Sequence, residues 1–412
     1  MKRRIFIIGL FLIAICFGII GAMSAPAQRK AISQPQNPPA ADYAVSGPYT
    51  HKNLTIFLLH GAGQSQGRAP LTLQEAMKRK LVVVRETGDV NRLTIQNRSN
   101  QEVFVQAGDI VKGGQQDRVL ALDLIVPPKS RRIPIESFCV EQGRWNRRGD
   151  EAVTAFSASD NALASKGLKI AAKAKGSQGE VWANVSKAQE KLAMNLSATP
   201  SVTPAPGRAR RGVGRETYNN LAQPNAGSPP QIALSPVPVL ADRTEAVTLY
   251  TPAAGLTLAE QLGLASRVSP SSLQLTLENK LVKDTANDYV KNLSSIISGK
   301  RDVIGFVFAI NGQLNSADVY SSNALFAKLW PKMLEASAVE AIAELKAGGK
   351  FEPVETDAVK AFLRESQSGK AETKRVTART AVIKCETEKN LFFETRDRGR
   401  GDGWVHRNYL LK

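Results

Sequence analysis

The chain has 412 residues, with 55 Lys and Arg against 37 Asp and Glu and a formal net charge of +18. At 42% hydrophobic and 22% charged residues it can bury a core, which excludes a wholly disordered chain. Three Cys without CxxC spacing and three scattered His exclude a disulfide scaffold and a His-rich metal centre, so no metal and no cofactor are expected.

Lys2, Arg3 and Arg4 precede an apolar run over 5–20 and small residues up to Ala27, the parts of a secretory signal peptide. Residues 1–27 are therefore expected to direct export to a periplasmic, secreted or cell-surface location. A retained N-terminal membrane anchor is the alternative, because 5–22 is nearly long enough to span a bilayer. The membrane is then met only through that segment. Ile15 before Cys16 is too bulky for a lipoprotein site. The positive excess is spread over many segments, so no specific nucleic-acid site is read from it. In an envelope compartment its anionic neighbours are lipid head groups or surface polymers.

Residues 28–42 are rich in Pro, Gln and Ala and read as a flexible lead-in. From 43 to 197 the chain reads as mainly β. Short alternating runs at 54–59, 81–85, 93–96, 103–106, 119–126 and 132–135 are separated by Gly, Asn, Pro and Ser, as in a sandwich or barrel. One helix interrupts them at 71–80, and 180–196 carries Trp182, Val185 and Leu192 at helical spacing. The stretch 198–242, with repeated Pro and the cluster Arg208, Arg210 and Arg211, lacks apolar periodicity and reads as a disordered linker or insertion. Residues 243–365 read as helix, hairpin, helix. A helix is expected over 275–297. Strands at 303–310 and 313–320 are joined by Asn311-Gly312, whose residues suit the positive φ of a type I′ turn. A helix over 323–346 contains Pro331, which should kink it or begin a second helix. Phe326, Trp330 and Met333 share its buried face. A C-terminal β segment fills 366–412. The fold class is α+β: a β-sandwich or barrel-like N-terminal unit, packed helices, and the C-terminal β segment.

Three sequence blocks are distinctive: Gln106-Ala-Gly-Asp-Ile-Val-Lys-Gly-Gly-Gln-Gln-Asp-Arg-Val119 with Val126-Pro-Pro-Lys-Ser130; Phe138-Cys-Val-Glu-Gln-Gly-Arg-Trp145; and Asp318-Val-Tyr320 with Leu325-Phe-Ala-Lys-Leu-Trp-Pro-Lys332. Together they resemble the ARG and rhodanese-phosphatase-superfamily-associated protein domain of prokaryotes. The resemblance covers about 43–195 and 250–347 and extends to the tail Trp404-Val-His-Arg-Asn-Tyr409. It implies a shared domain and no particular reaction.

Three constellations are weighed for chemistry. Gly63-Gln-Ser65-Gln-Gly67 matches G-x-S-x-G, but Gly61 and Ala62 before it and Arg68 to Pro70 after it do not suit a nucleophile elbow, so a surface loop is the better reading. The knot Asp109, Lys112, Gln116, Asp117 and Arg118, built around Gly113-Gly114, reads as a loop that could cradle an anion, or as a tight turn closed by its own salt bridges. With Glu141, Arg144 and Trp145 it would form one polar pocket for a small anionic or sugar-like ligand or an envelope polymer. The competing reading is a thiol-dependent hydrolase or transferase with Cys139 as nucleophile, His406 as base and Glu141 orienting it. Cys139 is equally open to packing or to a disulfide with Cys385. An envelope scaffold spaced by the Pro-rich stretch is the third class.

Overall fold

The computed structural model describes residues 42–63, 68–144, 147–198, 258–264, 271–346 and 348–412, together with Pro38 and Ser269. The expected signal segment 1–27, nearly all of the expected lead-in 28–42, Ser65, Trp145 and the stretch with Arg208, Arg210 and Arg211 lie outside them. Among the described residues the chain forms three β-sheets and eight α-helices.

The first strands, β1 (Ala44–His51) and β2 (Leu54–His60), pair antiparallel. No alternation announces β1, and its position explains why. It is the edge of a sheet, and Pro48 falls in the register break between Ser46 and Tyr49, where the ladder asks for no bond from it. The chain continues through β3 (Leu71–Thr72), α1 (Leu73–Lys78), β4 (Val82–Glu86), β5 (Arg92–Asn97), β6 (Val103–Val105) and β7 (Asp109–Gly113). It then forms β8 (Arg118–Leu120), β9 (Leu124–Val126), β10 (Ile133–Cys139) and β11 (Phe156–Leu163). Six of these form a sheet in the order β11-β7-β8-β10-β5-β4. A bridge from Arg85 to Ala155 nearly closes it into a barrel. Val84, Leu93, Ile95, Val111, Leu120 and Phe156 are buried within it. Thr72 and Glu75 form a capping box that starts α1.

Two expectations are corrected here. The polar stretch 109–118 is not a loop but largely β7 and β8, with only the Gly114–Asp117 segment turning. The run 119–126 is two strands, because the chain breaks to bury Asp123.

A short α2 (Lys166–Lys169) runs into a π-helical turn, Ile170–Lys175, and then α3 (Gln178–Ser197). After α4 (Leu258–Gln261) come α5 (Leu273–Glu278) and α6 (Lys280–Leu293), the latter followed by the 3-10 turn Ser294–Ile297. The single helix expected over 275–297 is thus broken at Asn279. Its backbone is extended (ψ 135°), and its side chain caps α6 by accepting from the Leu281 N–H at 2.8 Å. β12 (Val303–Ile310) and β13 (Gln313–Tyr320) form the expected hairpin, with φ of 53° at Asn311 and 72° at Gly312. α7 (Asn323–Ala343) continues through Pro331 as one helix, and Phe326, Trp330 and Met333 are all buried. It is followed by α8 (Thr356–Ser366) and β14 (Lys370–Arg375), β15 (Thr380–Glu386), β16 (Asn390–Asp397) and β17 (Gly403–Leu411).

The largest sheet has the order β1-β2-β12-β13-β17-β16-β15-β14. Its central strands are apolar on both faces. Ile56, Leu58, Phe306 and Phe308 pack against α6 and α7, while Phe57, Leu59, Val307 and Val319 pack toward Phe362 and Leu363 of α8. Burial on both sides explains the near-continuous apolar runs of β2 and β12.

Candidate functional site

Of the polar residues singled out in the sequence, Asp109, Gln116, Asp117, Arg118, Glu141 and Arg144 are buried and Lys112 is half-buried. Asp109 pairs with Lys332 of α7 and accepts the Gln106 N–H at 3.0 Å. Lys112 reaches both oxygens of Glu278, at 2.7 and 2.6 Å. Asp117 accepts the Gly113 N–H at 2.9 Å and two bonds from Arg148 at 3.1 and 3.2 Å. Arg118 donates to the Gln116 carbonyl at 3.0 Å and faces Glu86 at 3.6 Å, and the Gln116 side chain is buried beside it. Glu141 holds Arg144 at 2.7 Å and accepts from Ser269. Asp117, Glu141 and Arg144 come together with Arg148 and Glu151 in a node of mutual ion pairs rather than an open cradle, while Arg118 faces Glu86. The sequence overlooked Arg148 and Ser272, which complete the Asp117 coordination.

Cys139 ends β10, and Gln178 clamps its backbone N–H and carbonyl at 2.9 and 2.8 Å. Burial pushes its thiol up to about 11, with Glu86 and Glu141 adding to the shift and Arg118 opposing it. A fully buried thiol of that pKa is a poor nucleophile. Cys385, in β15, is likewise buried and unpaired, so the two thiols form no disulfide. His406 does not serve Cys139, because both of its ring nitrogens are taken elsewhere, and Glu141 is held by Arg144. The proposed triad of Cys139, His406 and Glu141 is not assembled.

Instead, His406 sits at the centre of a buried network. Nδ1 lies 2.8 Å from Asp123, and Nε2 lies 3.0 Å from Asp318. Thr395 donates to Asp123 at 2.5 Å and Asn408 to Asp318 at 3.0 Å, while the Tyr320 ring stacks on the imidazole with centroids 4.5 Å apart. Burial works against the imidazolium, but the two carboxylates outweigh it and raise the His406 pKa. Burial likewise works against the Asp318 carboxylate, but Lys169 and His406 hold it at about 2. Lys169 and Lys173, one helical turn apart across the junction of α2 with the π-helical turn, face Asp318 at 3.6 Å and Asp123 at 3.9 Å. Lys173 also lies over the Phe393 ring at 4.4 Å. Burial lowers its pKa, partly offset by Asp123 and Asp318. The network joins the loop before β9 to β13, β16, β17 and the α2 region, and its members are almost wholly excluded from water.

A cavity of about 230 Å³ opens on the other side of α2, between α2, α3, α5 and α7. Leu168, Leu192, Leu277 and Val339 supply an apolar floor. Lys166, Lys187, Lys191, Glu340 and Glu344 supply its charge. Lys191 is paired with Glu344 at 2.5 Å, and Glu340 accepts the backbone N–H of Lys166 at 3.1 Å and the Asn315 side chain at 3.0 Å. The Lys166 ammonium has no ion-pair partner among the described residues. Burial lowers its pKa, with Glu340 and Glu344 working in the opposite direction. None of these five residues was picked out from the sequence. The available signal was the i,i+4 spacing of Lys187 with Lys191 and of Glu340 with Glu344, which marks two charged stripes without showing that they face each other.

The fold is thus a mixed α+β domain in which a nearly closed six-stranded barrel and an eight-stranded sheet share a buried ionic network. Residues 42–410 match the ARG and Rhodanese-Phosphatase-superfamily-associated Protein domain, and the chain belongs to that family. No curated protein and no solved structure matches the chain.

Proposed function

We propose that this is a ligand-binding domain rather than an enzyme, and that it takes a small anion with an apolar body in the cavity between α3 and α7. The observation that carries this reading is Lys166, a largely buried ammonium without an ion-pair partner among the described residues, at the edge of an apolar floor. An anionic head beside Lys166 would form a charge-assisted contact, worth about 1.5–3 kcal/mol in a partly buried site. The hydrocarbon part would cover Leu168, Leu277 and Val339, which favours an amphipathic carboxylate or phosphate over a sugar. The basic, apolar and small-residue sequence of 1–27 supports an exported location for this activity.

Calorimetry and thermal shift with a series of straight-chain and aromatic carboxylates tests the reading. Saturable binding is expected, weakened at least about tenfold in Lys166→Met and abolished by Val339→Trp, which fills the cavity. Because burial lowers the Lys166 pKa, affinity should fall as pH rises and do so earlier than for an ordinary lysine near about 10.4. Equal binding by Lys166→Met, or no binding by any member of the series, would sink the proposal.

A further inference from the structure

A second feature, independent of the cavity, is the distribution of positive charge at one end of the molecule. Cations that are scattered in the sequence are gathered there by the fold. Arg98 lies on the turn after β5, Lys129, Arg131 and Arg132 on the turn between β9 and β10, Arg375 at the end of β14, and Arg398 on the turn between β16 and β17. All six are exposed, and none has a carboxylate partner among the described residues. The turns are physically joined. The Lys129 N–H donates to the Ser99 carbonyl at 2.9 Å, the Asn97 N–H to the Ser130 hydroxyl at 2.9 Å, and the Arg398 N–H to the Arg379 carbonyl at 2.8 Å. Glu102 links the two halves by accepting from both Arg379 and Arg400.

The local carboxylates do not neutralise this surface. Glu102 and Asp397 are engaged by Arg379, and Asp402 by Arg396, so the six named cations remain in excess. The stretches 97–102, 127–132, 375–380 and 397–403 contain no aromatic residue to stack on nucleic-acid bases, and the Trp404 ring that follows them already carries the Arg407 guanidinium at 4.5 Å. Strand register shows which end of the molecule this is. Ala44 pairs with His60, which pairs with Val303, and Tyr320 pairs with His406. Asp397 pairs with both Gly403 and Thr380, and Arg375 with Ala381. The chain therefore enters β1 at the same end of the sheet that carries the Arg375 and Arg398 turns. In the sequence, the segment before that entry holds Lys2, Arg3, Arg4 and the apolar run over 5–20.

We propose that this basic end seats on an anionic phospholipid surface, where clustered Lys and Arg are attracted to head groups within a Debye length. Flotation of the full chain with vesicles of phosphatidylcholine, with and without phosphatidylglycerol, tests it. Partition is expected to rise at least about tenfold with phosphatidylglycerol and to fall as salt goes from about 0.05 to about 0.5 M. The triple substitution Lys129→Gln, Arg131→Gln, Arg132→Gln should remove at least about tenfold of that gain. A control that neutralises the exposed Lys291, Lys346 and Lys350 to Gln should leave it intact. Thermal melting of both variants checks that they fold, and the salt series on the unaltered chain gives a readout that needs no variant. Wild-type partition of the triple variant would overturn the proposal, because the N-terminal apolar run would then carry the binding. So would equal partition onto both vesicle types, or binding to soluble polyphosphate without binding to vesicles.

Discussion

His406 shows how a single residue is committed by its surroundings. Its two carboxylate neighbours raise its pKa against the effect of burial, so the folded state binds a proton more tightly than the unfolded chain, whose His titrates near about 6.5. The stability from this proton is fully present below that pH and is lost as pH rises through the folded-state pKa. Asp318, held at about 2, contributes stability above the ordinary carboxyl range that is lost as pH falls toward that value. Denaturant titration should therefore show a plateau between about pH 4 and about 6.5. His406→Asn should cost about 3–5 kcal/mol there, because it leaves two buried carboxylates without their common cation. The difference from wild type should shrink as pH rises above the plateau. A variant as stable as wild type at pH 5–6 would show that the network is dispensable. The sequence could supply His406 as a candidate base, since a lone His near a tail motif is ambiguous. It could not show that Asp123 and Asp318, 195 positions apart, meet on either side of the ring.

Local chemistry was legible at the scale of elements wherever one residue type answers one geometric demand. Asn311-Gly312 is the clearest case, because few residues tolerate two successive positive φ values. Gly312 carries a second constraint: a Cβ there would lie 2.5 Å from the Glu352 carbonyl oxygen. Gly312→Ala is therefore expected to destabilise the protein by about 1–3 kcal/mol, measured by chemical denaturation, and a loss below about 0.5 kcal/mol would show that the 352 backbone can move aside. Other elements were misread for physical reasons. Asn279 has ordinary helical neighbours, and only its cap geometry divides α5 from α6. The stretch 109–114 reads as a loop because Asp109, Lys112, Gly113 and Gly114 are loop residues in an exposed setting. Here ion pairs to Lys332 and Glu278 make their burial tolerable.

At the scale of the whole molecule, the C-terminal strands are not an appendage. β17 lies between β13 and β16, and it brings His406 against Asp123, from the loop before β9. Removing Gly403–Leu411 would expose two strand edges and leave Asp123 and Asp318 without their imidazolium. The truncated chain is expected to lose cooperative unfolding altogether. A sharp melting transition in that chain, followed by circular dichroism, would show that the barrel and the hairpin sheet fold without the last strand.

Alternation, caps and turn residues are short-range devices set by backbone sterics. They were enough to determine the α+β class, the hairpin, the buried face of α7 and the family motifs directly from the sequence. Ion pairing and cavities depend on side chains distant in the chain, and their energies depend on burial that no local pattern reports. Tertiary structure alone therefore decided that the charges of 109–118 are met by Lys332, Glu278, Arg148 and Glu86, that the Cys139 thiol is buried, that Lys166 lines an apolar cavity, and that a diffuse positive excess becomes one basic end.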